Sequence, residues 1–137
     1  MLHLADTSFL IDALREKGDP GAGARLDELL AADDLAVWGI IISEMLIGTL
    51  SEPEYDEMRD YLLQQTVLHE PDDLWQRVAR LGFDLRRRGL TVALPDLAIA
   101  VVAMHNEVPL VHMDRDYLAI AEVCDLDHEY VSPTDAD

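Results

Sequence analysis

Lysine is nearly missing from this 137-residue chain: Lys17 stands alone beside nine arginines, against 28 aspartates and glutamates, for a formal net charge of −18. Such a balance repels nucleic-acid phosphates at long range and favours basic partners. Composition by itself therefore argues against a nucleic-acid enzyme, less so where salt screens the field. Cysteine is limited to Cys124, which excludes an internal disulfide and suits a reducing cytoplasm, with a buried inert thiol as the plain reading. No basic region precedes the first apolar residues, and Asp6 and Asp12 interrupt them, so the N-terminus does not read as a signal peptide. The apolar stretch 35–50 carries Ser43 and Glu44 in its middle, which argues against a membrane span and for a cytoplasmic protein with no membrane partner. There is no Gly-x-Ser-x-Gly turn, so a serine nucleophile has no support, and there are no repeats, low-complexity segments or linkers.

What is present is a hydrophobic half of the chain, enough for one domain over 1–132, followed by a loose tail over 133–137. Leu2–Ala5 reads as a short buried strand, with Asp6, Thr7 and Ser8 capping a helix to about Arg15. Gly18, Pro20, Gly21 and Gly23 mark a loop before a helix through Leu26, Leu29 and Leu30. The continuous apolar run Leu35–Ile42 has the look of a strand buried on both faces, and Ser43 is placed to cap the following helix, with Glu44 in its first turn. Helices are expected from Pro53 to about Gln65, from Asp72-Asp73 to Gly89, from Pro95-Asp96 to Ala103 and from Asp116 to Val123. Short strands are expected at 67–68, 109–113 and 129–131. This alternation predicts an α/β sandwich with a mainly parallel sheet and flanking helices.

Acidic residues fall at the starts of new elements: Asp6 after Ala5, Glu44 after Ser43, Asp96 after Pro95, and Asp114 with Asp116 after Met113. In parallel sheets the working crevice lies beyond the carboxyl ends of the strands. Carboxylates gathered there repel: two at about 4 Å cost about 4 kcal/mol at an effective dielectric near 20. Such a set is kept mainly to hold a hard divalent cation. Any one acid at a helix start is more often a cap. Two details favour metal for the group: Ser43 is already available as a cap, and Asp114 and Asp116 face the same side if the chain stays extended.

The segments Leu4-Ala5-Asp6-Thr7-Ser8, Ile42-Ser43-Glu44-Met45, Pro95-Asp96-Leu97-Ala98 and Asp114-Arg115-Asp116-Tyr117, in this order, resemble the four motifs of the PIN-domain family, and within it the VapC-type toxins. The resemblance covers residues 2–131 and implies a PIN-like three-layer sandwich. It implies that Asp6, Glu44, Asp96 and Asp114 hold Mg²⁺ or Mn²⁺, that Asp116 is an accessory acid, and that Thr7 or Ser8 orients a ligand or a water. The implied activity is endoribonucleolytic hydrolysis of RNA, leaving a 5′-phosphate, in a homodimer restrained by a cognate antitoxin. Two departures stand out. His112 occupies the place of a small hydroxyl or amide residue, readable as packing or as a positioned neutral histidine, and able there to contact RNA phosphate, pair with a carboxylate or crowd the metal site; Tyr117 replaces the usual phenylalanine, a mild change.

Arg86-Arg87-Arg88 is the one basic cluster, read either as cations at a helix C-terminus or as an RNA or partner contact. Trp38, Tyr61, Trp75 and Phe83 are expected to serve core or dimer packing, and His3, His69, His105 and His128 show no ligand spacing. Two rival readings remain beside the nuclease. Phosphotransfer proteins that share such a sheet rely on a lysine late in the chain, where this one has none. A non-catalytic PIN-fold binding module would retain the fold and not the chemistry.

Overall fold

The computed structural model describes residues 1–133. The expected tail over 133–137 lies, apart from Pro133, outside them. In chain order the elements are β1 (His3–Ala5), α1 (Thr7–Leu14), α2 (Pro20–Ala31), β2 (Leu35–Val37), α3 (Gly39–Ile47), α4 (Glu52–Leu63), β3 (Thr66–Val67), α5 (Leu74–Arg87), α6 (Leu94–His105), β4 (Leu110–His112), α7 (Asp116–Val123) and β5 (His128–Tyr130). The five strands form one sheet in the order β3-β2-β1-β4-β5, and every pairing is parallel.

That order fixes the layers. From β1 the chain steps outward through β2 to β3, then returns past β1 to β4 and continues to β5. Crossovers between parallel strands are right-handed, so reversing the direction of travel moves the connecting helices to the other face. Helices α1 to α4 accordingly pack among themselves, and α5, α6 and α7 among themselves, with the sheet as the middle layer. The reversal leaves β1 and β4 side by side with their connections departing to opposite faces, which opens a crevice at their carboxyl ends. Asp6 and Asp114 follow those two strands.

One apolar core runs through both interfaces, from Leu4, Phe9, Leu10 and Ile41 to Leu85, Ile99, Leu110 and Ile120. The element that contributes most to it is α6, where every residue from Leu97 to Ala103 is buried. By contrast α5 buries only the stripe Leu74, Val78, Leu81 and Leu85, as its periodicity predicts. Among the described residues no helix is long and apolar enough to cross a membrane.

Several expectations are corrected. The run Leu35–Ile42 is not one strand: β2 ends at Val37, Trp38 is the N-cap, and Gly39 opens α3. A buried helix and a buried strand share the same continuous apolar pattern, so periodicity cannot separate them. Ser43 is consequently not a cap but an interior residue of α3, its Oγ donating to the Gly39 carbonyl at 2.8 Å. Gly21 and Gly23 belong to α2, not to a loop, because Pro20 takes the first helical position and the Asp19 side chain accepts from Ala22 N–H at 3.0 Å. Gly18 alone makes the turn, its backbone pressed against the Asp12 carbonyl where a Cβ does not fit. Trp38 is a core residue, whereas Trp75 and Phe83 are exposed.

Helices α2, α5 and α6 end in the same way. The residue after the cap adopts positive φ (Asp33, Gly89, Glu107), and paired bonds such as Glu107 N–H to Met104 O and Val108 N–H to Ala103 O close the last turn. Gly89 does this without steric cost; Glu107 has a Cβ that opposes it. Glu107→Gly is therefore expected to raise stability by about 0.5–1 kcal/mol in urea unfolding. A loss of stability would show that the Glu107 side chain makes a compensating contact.

Candidate metal centre

Asp6 is the deepest acid of the site, 3 % exposed at the end of β1. Both of its oxygens are engaged. Oδ2 accepts from Ser8 N–H at 3.0 Å and from Ser8 Oγ at 2.6 Å, and Oδ1 accepts from the Tyr117 hydroxyl at 2.8 Å. Ser8 Oγ itself accepts from the Met113 N–H at 3.1 Å, which ties α1 to the end of β4. Asp6 thus serves as the N-cap of α1 as well as a member of the acidic set.

Asp96 enters from the first turn of α6. A helix that feeds a parallel strand runs against it, so its N-terminus lies at the strand's carboxyl end, and the aligned peptide dipoles favour a carboxylate there. Even so, Asp96 is pushed up to about 6, by burial first and then by the charges of Asp6 and Asp114; the Tyr117 hydrogen bond, at 3.2 Å, opposes this. Asp114 follows β4, and its Oδ1 accepts from the N–H of Asp116, the first residue of α7, at 2.9 Å. The chain turns helically at Arg115, so Asp114 and Asp116 do not share a side through an extended backbone as expected. The turn nevertheless brings them together: oxygens of Asp96, Asp114 and Asp116 lie within 4.8 Å of one another.

The grouping differs from the expected quartet. Asp116, expected as accessory, belongs to the tight trio. Glu44, set on the second turn of α3, is exposed and linked to the site through Thr7, whose Oγ1 donates to Oε1 at 2.9 Å. Asp6 joins the trio through Tyr117. The donors nearest one another are all carboxylate oxygens, which suits a hard cation and not a soft one. Oxygens on opposite sides of a Mg²⁺ ion stand about 4.2 Å apart, so the trio fits such an ion after a small contraction.

His112 is fully buried, which fits the packing and positioned-neutral readings and removes it from direct contact with RNA. The Asp114 N–H donates to its Nδ1 at 3.3 Å, leaving Nε2–H to donate to His128 Nδ1 at 3.0 Å. The ring is therefore neutral, and burial together with His128 lowers it to about 4. It also packs against the Tyr117 ring, with centroids 4.7 Å apart. Tyr117 and His128 were not legible as participants: one differs from phenylalanine by a single oxygen, and the other lacks ligand spacing. The arginines 86–88 are exposed at the end of α5, the end that adjoins the start of α6, since Gly82 packs on Leu97. Arg87 also lies over the Phe83 ring at 5.4 Å.

The fold and the site together define an α/β protein with a cluster of carboxylates at the switch point of a parallel sheet. Residues 4–123 match the PIN domain, and the chain belongs to the PIN-domain family. It is 37 % identical over 105 residues to Ribonuclease VapC17 of Mycobacterium tuberculosis, covering 74 % of this chain and 79 % of that protein. It is 30 % identical over 122 residues to Ribonuclease VapC21 of the same organism, covering 85 % and 88 %. In fold it is similar to a chain of VapBC2 from Rickettsia felis bound to a promoter DNA fragment, with TM-score 0.77 at 18 % identity over 96 % of this chain and 100 % of that one.

The Asp96 shift has a consequence for stability. A carboxyl held above its unfolded value contributes stability that is lost as pH rises through about 6. His112 works oppositely, its contribution being present above its unfolded value and lost as pH falls toward 4. In EDTA, Asp96→Asn is expected to melt higher than the unsubstituted protein at pH 8, with the gain shrinking to nothing near pH 4. An equal gain at both pH values would show that Asp96 is not strained by its neighbours.

Proposed function

We propose that this chain is a metal-dependent endoribonuclease, the toxin of a toxin–antitoxin pair acting in the cytoplasm. The observation that carries the proposal is the convergence of Asp96, Asp114 and Asp116, with Asp6 beside them, in a crevice of a fold shared with VapC ribonucleases. Asp96, Asp114, Asp116 and Asp6 would hold Mg²⁺ or Mn²⁺, with Glu44 as a further oxygen donor held in place by Thr7. When bound, such an ion supplies a hydroxide-like water near neutral pH and stabilises charge on the phosphorane oxygens. Ser8 fixes the rotamer of Asp6, and the neutral His112 fixes the backbone of Asp114, so the donors need little rearrangement.

With a net charge of −18, capture of RNA needs a local exception to the field. Arg86, Arg87 and Arg88 provide it: among the described residues none of them has an ion pair, unlike Arg77 and Arg80 earlier on α5. Restraint by an antitoxin fits a second feature. Between α1, α3 and α4 lies a cleft of about 460 Å³ that reaches Glu44 and is bordered by Ile11, Leu14 and Leu50. Leu50 is 92 % exposed and nearby Ile47 83 %, an apolar rim that a partner's apolar segment would cover. The overall negative charge attracts a basic partner.

Cleavage of a cellular RNA pool in Mg²⁺ or Mn²⁺, absent in EDTA and absent in folded Asp96→Asn, is the expected outcome. Full activity in that variant would remove the site assignment, and metal binding without cleavage of any RNA would favour a PIN-fold binding module. Replacing Arg86, Arg87 and Arg88 by alanine should raise the KM for RNA and reduce the slope of log affinity against log salt by about 2. Unchanged kinetics would make the cluster a simple helix terminus.

A further inference from the structure

Among the described residues, Tyr117 carries the one hydroxyl that touches two members of the acidic set, and it does so from inside the core. Its ring is fully buried. Its Oη lies 2.8 Å from Asp6 Oδ1 and 3.2 Å from Asp96 Oδ1. These two carboxylates come from different layers, Asp6 from the end of β1 and Asp96 from the start of α6, and among the described residues no other side chain hydrogen-bonds to both. A phenylalanine would fill the same space and leave both oxygens facing each other without a donor. Hydrogen bonds from a hydroxyl to a carboxylate are charge-assisted and stronger than neutral ones, and burial strengthens them further.

The hydroxyl is itself held. The His112 ring lies 4.7 Å from the Tyr117 ring on one side, and His112 is fixed by the Asp114 N–H and by His128. Tyr117 therefore cannot swing away without disturbing β4, β5 and α7 together. A chain of contacts links β5 to the acids: His128 to His112, His112 to Tyr117, and Tyr117 to Asp6 and Asp96.

We infer that Tyr117 is a positioning residue, whose hydroxyl holds Asp6 and Asp96 together before a divalent cation arrives and so sets the affinity of the site. The inference rests on the metal-dependent reading of the site and adds a residue to it. Without the hydroxyl, Ser8 still holds Asp6 but no hydrogen bond ties Asp96 to it, and binding a cation must then gather the two against their repulsion. Partners that orient metal ligands affect affinity by about 10–100-fold when removed.

The test is Mn²⁺ titration by calorimetry of the full chain and of Tyr117→Phe, with circular dichroism to establish that both are folded. The expected result is a Kd about tenfold weaker in the variant. A second measurement uses the unsubstituted protein alone: Mn²⁺ should produce a tyrosine ultraviolet difference spectrum, because the hydrogen bonds of Tyr117 change when its acceptors take a cation. That spectrum should be missing in Tyr117→Phe. Equal or tighter Mn²⁺ binding in the variant, or no tyrosine signal on binding, would overturn the role of Tyr117 and leave the metal site standing. No Mn²⁺ binding by the unsubstituted protein would instead overturn the metal reading itself. A variant that only melts lower while binding Mn²⁺ equally well would reduce the hydroxyl to a packing role.

Discussion

Mutual repulsion among carboxylates at the ends of β1 and β4 is the constraint around which the rest of this molecule is arranged. Asp6 is 3 % exposed, and Asp96 is held well above an ordinary carboxylate by burial and by its acidic neighbours. Every acid of the central group is met by a donor or a dipole: Ser8 and Tyr117 at Asp6, the N-terminus of α6 at Asp96, the Asp116 N–H at Asp114 and the N-terminus of α7 at Asp116. Even with these contacts in place Asp96 stays raised, with the charges of Asp6 and Asp114 among the causes. The donors therefore reduce the repulsion without removing it, and a divalent cation is the remaining counter-charge that suits oxygen ligands.

The scaffold keeps these groups in place by different means at different depths. The core of α6, buried from Leu97 to Ala103, fixes where Asp96 begins. The β4–β5 pairing, with His112 opposite Tyr130, fixes where Asp114 leaves the sheet. At the surface the chain remains strongly acidic, and Arg86, Arg87 and Arg88 stand out near the start of α6. One field thus serves both proposed partners: it draws a basic antitoxin from a distance and leaves RNA to be engaged at a local basic patch.

Much of this was legible in the residues. Asp6, Asp96 and Asp114 could be placed at element boundaries because a short apolar run ends before each, and α5 and α7 followed from their patterns. The middle of the chain was less readable. Leu35–Ile42 reads as a strand because an entirely buried stretch has no polar face to report its period; only Gly39, tolerated at the start of α3, hints at the change. For the same reason the pattern puts Glu44 in the first turn of its helix, whereas it stands in the second. The roles of Tyr117, His112 and His128 depend on pairing between β4 and β5, a contact between distant segments that local spacing does not encode. Asp116 joined the trio because the chain turns at Arg115, where an extended chain had been expected.

The most direct test of this account is the anomalous signal of Mn²⁺ in crystals of the protein. The account predicts a peak among the carboxylates of Asp96, Asp114 and Asp116 on the side of Asp6, lost in Asp96→Asn. A peak elsewhere on the acidic surface, or none at saturating Mn²⁺, would contradict it, and the gathered acids would then be no more than residues at the starts of their helices.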